Sequence, residues 1–356
     1  MKLIDLTRAK LTQASVLYRQ YLTSLFPGEP LQSNPETEHN SQVYDLAFIL
    51  DRGNRGWILD AICREIAANY PGSVTFSYEA YFPRGNIAHY APVDLPLPRA
   101  KAYFFAHYSY FAVCLKRYPY LKDRPTYIWY THPKGLMTDE AFAATMNQAT
   151  AMICTCSQFA ERMIACGVNP DKVTYVLGAA DPNLFRSHVR TGKGAVGFST
   201  AYYERKSPDR ILEIVQRLPH RSFILLGRKW KAYDRFAELE ALPNFKYVEI
   251  DYADYPQYYA QMDVFVSPAK LEGGPIPLVE AMMCNVVPVA SKTGFAPDLI
   301  VPGENGFLFD IESSADEICN LIEQAFQIKT DVRQTVEHLS WQNFSADIQA
   351  VMKRFE

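Results

Sequence analysis

Apolar side chains at Leu11, Ala14, Tyr18, Tyr21, Leu22 and Leu25 recur at helical spacing, which predicts an amphipathic helix over residues 8–26. Residues 27–40 mix Pro, Gly, Asn and Glu without an apolar period and read as a loop. From Val43 onward short apolar runs alternate with amphipathic stretches. Strands are predicted at Tyr44–Leu50, Val74–Tyr78, Ala102–Ala106, Thr126–Tyr130, Ala151–Thr155 and Val173–Val176. A second series follows at Ala195–Ser199, Phe223–Leu226, Phe245–Val248, Val264–Ser267, Val286–Ala290 and Gly306–Phe309. Its predicted helices are Asp209–Arg217, Tyr255–Met262, Pro277–Cys284 and Ala315–Phe326. The polar stretch Ser187–Lys193 separates the two series as a hinge. Strand and helix in alternation imply an α/β chain with parallel sheets joined by right-handed crossovers.

Composition narrows this picture. A chain of 356 residues exceeds what one hydrophobic core usually organises, so two domains with a cleft between them are expected. Hydrophobic residues make up 48% and charged residues 21%, ordinary values for a globular protein. A formal net charge of −3 offers no footprint for nucleic acid, whose phosphates demand an excess of Lys and Arg. No run approaches the roughly 20 apolar residues that cross a bilayer, and the N-terminus lacks a secretion pattern. A cytoplasmic location is expected. Arg8, Lys10 and Arg19 beside the apolar face of residues 8–26 also suit peripheral contact with a membrane, with internal docking the default reading.

The seven cysteines show no C-x2-C pair and read as buried thiols. Cys154 and Cys156 share a strand face, but without a His or further Cys nearby they make a poor metal site. No Asp-x-Asp cation site is found either, so neither metal nor cofactor is expected.

Open parallel sheets bind ligands beyond the carboxyl ends of their strands. That rule selects residues 51–56, His107, His132, Ser157, the segment after Ser199 and residues 268–277. The last of these is the most informative. Glu272 and Glu280, eight positions apart, bracket Gly273, Gly274, Pro275 and Pro277 between an apolar strand and an apolar helix. Glycines admit close backbone approach, the helix N-terminus attracts a diphosphate, and the two acids accept hydrogen bonds from sugar hydroxyls. Isolated surface glutamates are common and merely solvated; it is the setting between strand, glycine loop and helix that singles these out.

This segment resembles the donor-site motif of retaining family-4 glycosyltransferases with the GT-B fold, two Rossmann-like domains with parallel sheets facing across a cleft. The likeness extends through Thr293–Asp298, through Gly303–Phe309, and to Ser340, Trp341 and Phe344, which resemble the start of a C-terminal helix returning to the first domain. The resemblance implies an acceptor-side domain over residues 1–188, with 1–40 as an extension, a donor domain over 189–335, and the returning helix over 336–356. It assigns Glu272 to donor-sugar hydroxyls and Glu280 to ribose hydroxyls. Gly273, Gly274, Pro275, Ile276 and Gly294 would line the donor pocket. Phe295 and Asp298 stand where the family has Gly and Glu, so the loop near the donor is expected to be shaped differently.

Lys206 matches the family's phosphate-binding lysine; the usual arginine at the strand end is absent, and Arg205 or Arg228 would substitute. His132 resembles the histidine that meets the donor sugar from the facing domain. His107 holds the equivalent place after the preceding strand, with packing among tyrosines as its alternative. Gly53, Asn54 and Gly56 resemble the family's first glycine-bearing loop, and Ser157 reads as a helix N-cap with a ligand contact in reach. The aromatics of 78–90 and 103–120 read first as core, and otherwise as a platform for acceptor sugars or a membrane surface.

The implied reaction moves a hexose-type sugar from a nucleoside-diphosphate sugar to a hydroxyl of a saccharide or lipid-linked saccharide, in polysaccharide or glycan biosynthesis. Lys206, an arginine and the helix start would stabilise the departing diphosphate without a metal. A nucleotide-sugar epimerase or phosphorylase of the same fold, and a non-catalytic sugar- or partner-binding subunit, are the alternatives.

Overall fold

A computed structural model describes residues 42–51, 55–78, 97–133 and 137–355. The helix expected at 8–26, the loop at 27–40, most of the aromatic run 78–90, and Gly53 and Asn54 lie outside the described residues.

Among the described residues, twelve strands form two six-stranded parallel sheets. The first comprises β1 (Tyr44–Ile49), β2 (Val74–Ser77), β3 (Ala100–Phe105), β4 (Thr126–Tyr130), β5 (Ala151–Cys154) and β6 (Val173–Tyr175), in the order β2-β1-β3-β4-β5-β6. The second comprises β7 (Ala195–Ser199), β8 (Phe223–Leu226), β9 (Phe245–Val248), β10 (Met262–Ser267), β11 (Val287–Ser291) and β12 (Phe307–Phe309), in the order β12-β11-β10-β7-β8-β9. Central strands such as β4 (TYIWY) and β8 (FILL) are buried throughout, because helices cover both faces of a parallel sheet. The edge strands β2 and β9 are only partly buried and carry Thr, Ser and Lys.

The covering helices follow from amphipathic spacing. Pro208–Arg217 turns Ile211, Leu212, Ile214 and Val215 to the core, and Ala315–Ala325 opens on a capping box between Ser314 and Glu317. One predicted helix is corrected: the segment expected at Tyr255–Met262 is helical only over Pro256–Tyr259, and Met262 instead opens β10 by pairing with Ala195. An apolar run carries either period, and here the ladder takes its last residue. Tyr103, Tyr108, Tyr110, Phe111 and Tyr118 are buried, so the described part of the aromatic run is core.

Trp341–Arg354 crosses back to the first sheet. Phe344 packs edge-on against Trp129 with centroids 5.5 Å apart, Tyr127 donates to Met352 O at 3.2 Å, and Ser345 donates to Ile66 O at 3.2 Å. The polar stretch 187–193 is fastened to the second sheet, where the buried Asp263 carboxylate accepts from the amides of Thr191 and Gly194. No helix among the described residues is long and apolar enough to cross a membrane.

Candidate donor site

Strand order reverses between β7 and β10 in the second sheet and between β1 and β3 in the first. A crevice opens where neighbouring crossovers leave on opposite faces of a sheet, and ligands settle there. In the second sheet the loops after β7 and β10 supply its walls, and they are laced together. Lys270 N donates to Arg205 O at 2.8 Å, and Arg205 Nη1 donates to Leu271 O at 2.7 Å.

At the centre of this lacing, the Lys206 ammonium bonds Glu272 Oε1, and Arg205 Nη1 lies 3.4 Å from Glu272 Oε2. Glu272 is buried, and its backbone amide donates to Thr293 Oγ1 at 3.1 Å. Burial pulls the Lys206 pKa below the ordinary lysine value, while the Glu272 carboxylate draws it back up. Two cations therefore face one carboxylate, leaving a local excess of one positive charge. An ammonium has three N–H donors and a guanidinium five, more than this carboxylate uses, so both side chains keep donors for an anion.

Glu280 occupies the second turn of the helix Ile276–Met283 and is 2% exposed. Its two carboxylate oxygens accept from Tyr252 (2.5 Å) and Tyr259 (2.9 Å). Burial raises its pKa to about 7, against the lowering effect of the two tyrosine hydroxyls. The expected helix start is corrected in one respect. Pro277 has no N–H, Ile276 N turns back to Gly274 O and Leu278 N to Pro275 O, so these positions offer no unpaired amide to a phosphate.

The glycines act across the cleft. A Cβ on Gly273 would stand 2.1 Å from Thr131 O of the first domain, so glycine alone lets this loop reach the segment after β4 that carries His132. Gly294, at φ +61°, lies against Gly273 O and Glu272. Phe295 is buried and fills the space beside Gly274 and Gly178, which accounts for a large side chain where the family resemblance implies glycine.

Of the first-domain candidates, His132 is half-buried beside this junction, with Nδ1 2.9 Å from Thr131 Oγ1. Gly56, at φ +74°, donates to Asp60 Oδ2 at 2.9 Å and forms the turn into the helix Ile58–Ala68. His107 is wholly buried, caps the helix Tyr108–Arg117 by accepting from Ser109 N at 3.1 Å, and packs on Tyr108, in line with the packing alternative left open by the sequence. Ser157 is corrected. Cys156 is the N-cap of Ser157–Ala165, and the Ser157 amide donates to Asp298 Oδ2 of the second domain at 3.3 Å.

Arg228 does not join the Lys206 cluster. Its guanidinium lies 4.1 Å over the Trp57 ring, a cation–π contact between the two domains. Sequence reading missed Trp57, Tyr252 and Tyr259; four tyrosines between Tyr252 and Tyr259, shortly after a strand, were the available signal. Among the described residues no three His, Cys, Asp or Glu side chains converge as metal ligands.

Residues 181–338 match the family model described as "Glycosyl transferases group 1". No curated protein matches the chain. Among solved structures, Anabaena HepE in complex with UDP is similar at TM-score 0.70 and 16% identity, covering 87% of this chain and 100% of that one. The lipopolysaccharide outer core galactosyltransferase WaaB is similar at TM-score 0.67 and 12% identity, covering 87% and 99%. Sucrose-phosphate synthase from Thermosynechococcus elongatus is similar at TM-score 0.67 and 14% identity, covering 88% and 98%. The crevice between β7 and β10, with its lysine, arginine and two glutamates, thus lies inside a glycosyl transferases group 1 match, in a chain with the two-sheet GT-B fold.

Proposed function

We propose that this protein transfers a hexose-type sugar from a nucleoside-diphosphate sugar to a hydroxyl of a saccharide or glycoconjugate, with retention at the anomeric carbon and without a metal. The observation that carries the reading is the Lys206–Glu272–Arg205 cluster at the strand-order reversal, with Glu272 on the loop that leads into the helix bearing Glu280. The HepE structures, with UDP and with UDP-glucose, support a nucleotide-sugar donor for this fold.

In this reading the bond between the anomeric carbon and the diphosphate breaks as the acceptor hydroxyl oxygen bonds that carbon and its proton passes to the diphosphate, and negative charge gathers on the departing oxygen. Lys206 and Arg205 are already held in place to receive it, so little reorganisation is needed as the charge forms. Glu272 accepts from donor-sugar hydroxyls and anchors the two cations. Glu280 accepts from the ribose, and His132 meets the sugar from the facing domain. Contact between the Gly273 loop and Thr131 keeps water from the reacting carbon.

The test is release of nucleoside diphosphate from UDP-, GDP- and ADP-hexoses with saccharide acceptors present, with Glu272→Ala as control. Acceptor-dependent release that the substitution abolishes supports the reading. Equal turnover in both proteins refutes it, and free epimer without acceptor would indicate an epimerase.

A further inference from the structure

We infer that Tyr252 guards the donor site: its hydroxyl holds the place on Glu280 that a nucleotide ribose takes, so that Tyr252 swings off the carboxylate when the nucleotide binds. The inference rests on the reading that Glu280 receives the ribose.

Glu280 is 2% exposed and its partner Tyr259 is wholly buried, whereas Tyr252 is 49% exposed. Of the two tyrosines on this carboxylate, Tyr252 is therefore the one that separates it from solvent. It stands on the three-residue 3-10 turn Tyr252–Asp254, immediately beyond the loop that follows β9. Its ring rests edge-on against Phe185 at 5.8 Å and tilted against Tyr255 at 5.5 Å. These contacts lie on the ring and leave the hydroxyl bonded to Glu280 Oε1 at 2.5 Å.

A phenol O–H and a ribose O–H are equivalent donors to a carboxylate, so one replaces the other without leaving Glu280 unsatisfied. Tyr259 remains on Oε2 and keeps the carboxylate oriented. A nucleotide without that hydroxyl leaves Tyr252 on Oε1, so Tyr252 opposes only a sugar whose hydroxyl must take its place. Tyr252 thereby competes with the ribose for Glu280 and holds nucleotide affinity down.

The experiment is isothermal titration of UDP, and of GDP and ADP as further probes, into the full chain at pH 8. The proteins are wild type, Tyr252→Phe, Glu280→Gln and the double variant, each checked for folding by its melting curve without nucleotide. Tyr252→Phe keeps the ring packing and removes the competing hydroxyl. Its expected effect is nucleotide binding tighter by about tenfold or more, the size of one exchanged hydrogen bond to a charged group. That gain is expected to vanish in the Glu280→Gln background and for a 2′,3′-dideoxynucleoside diphosphate. If Glu280→Gln weakens binding while Tyr252→Phe leaves it equal or weaker, the inference about Tyr252 is overturned and the ribose reading stands. A gain as large for the dideoxy nucleotide also overturns it. If no nucleotide binds, or Glu280→Gln changes nothing, the ribose reading and the inference fail together.

Discussion

Lys206 and Glu272, 66 positions apart in sequence, form a largely buried ion pair that joins the loop after β7 to the loop after β10. Breaking a buried pair on one side leaves the other charge uncompensated, so its members are costly to replace singly. In the proposed reaction its cation faces the departing diphosphate.

Replacing that cation gives the first prediction. Lys206→Met is expected to lower turnover by about a hundredfold or more, the usual loss when one preorganised donor to a developing oxyanion is removed. Arg205→Ala should lower it less, and Arg228→Ala least, because Arg228 stacks on Trp57 outside the cluster. Steady-state kinetics on the three variants check this; an Arg228 effect exceeding that of Lys206 would reverse the assignment of the phosphate ligand.

Gly273 marks where the two domains touch. In Gly273→Ala the new methyl meets the Thr131 carbonyl, and backbone faces backbone on both sides. The domains must part for it to fit. Turnover is expected to fall by about a hundredfold from the resulting misplacement, with secondary structure unchanged by circular dichroism and a larger radius of gyration in X-ray scattering.

Glu280 predicts how stability depends on pH. Its carboxyl pKa rises from 4.5 to about 7 on burial. Between these values the folded chain holds a proton that the unfolded chain has released. The contribution of this group to stability is therefore fully present below about pH 4.5 and is lost as pH rises through about 7. The loss is on the order of 3 kcal/mol. Glu280→Gln should flatten the fall in melting temperature between pH 5 and pH 8, within about that magnitude; an unchanged slope would place the titration elsewhere.

Asp298 supplies a helix cap from the opposite domain through Ser157 N, where the N-cap Cys156 makes no side-chain bond of its own. Asp298→Ala is expected to cost about 1 kcal/mol, as for loss of an ordinary N-cap. Chemical denaturation measures it, and a change indistinguishable from zero would show that the contact is incidental.

Hydrophobic runs made the strands legible: Thr126–Tyr130, Ala195–Ser199, Phe223–Leu226 and Phe245–Val248 have the same bounds in sequence and structure. Periodicity reports on neighbours along the chain, and an apolar run bounded by polar residues has few competing conformations. The boundary at Met262 was less legible because its tyrosine-rich approach suits helix and strand alike. Glu272, Lys206 and the glycines were legible as a motif following strands, where the fold places ligands. What each side chain touches was not. His107 reads like His132 in sequence, since both follow a strand, yet one is sealed under Tyr108 and the other stands at the domain junction. Likewise Tyr252 meets Glu280, and Trp57 meets Arg228, only through the crossing of separate elements. Such pairings depend on tertiary placement, about which local pattern is silent.

The most direct test of the central claim is a crystal structure of the protein with a bound nucleoside diphosphate. The account predicts the terminal phosphate within hydrogen-bonding reach of Lys206 Nζ and the ribose on Glu280. A diphosphate bound away from both residues, with the Lys206–Glu272 pair undisturbed and facing solvent, would contradict it.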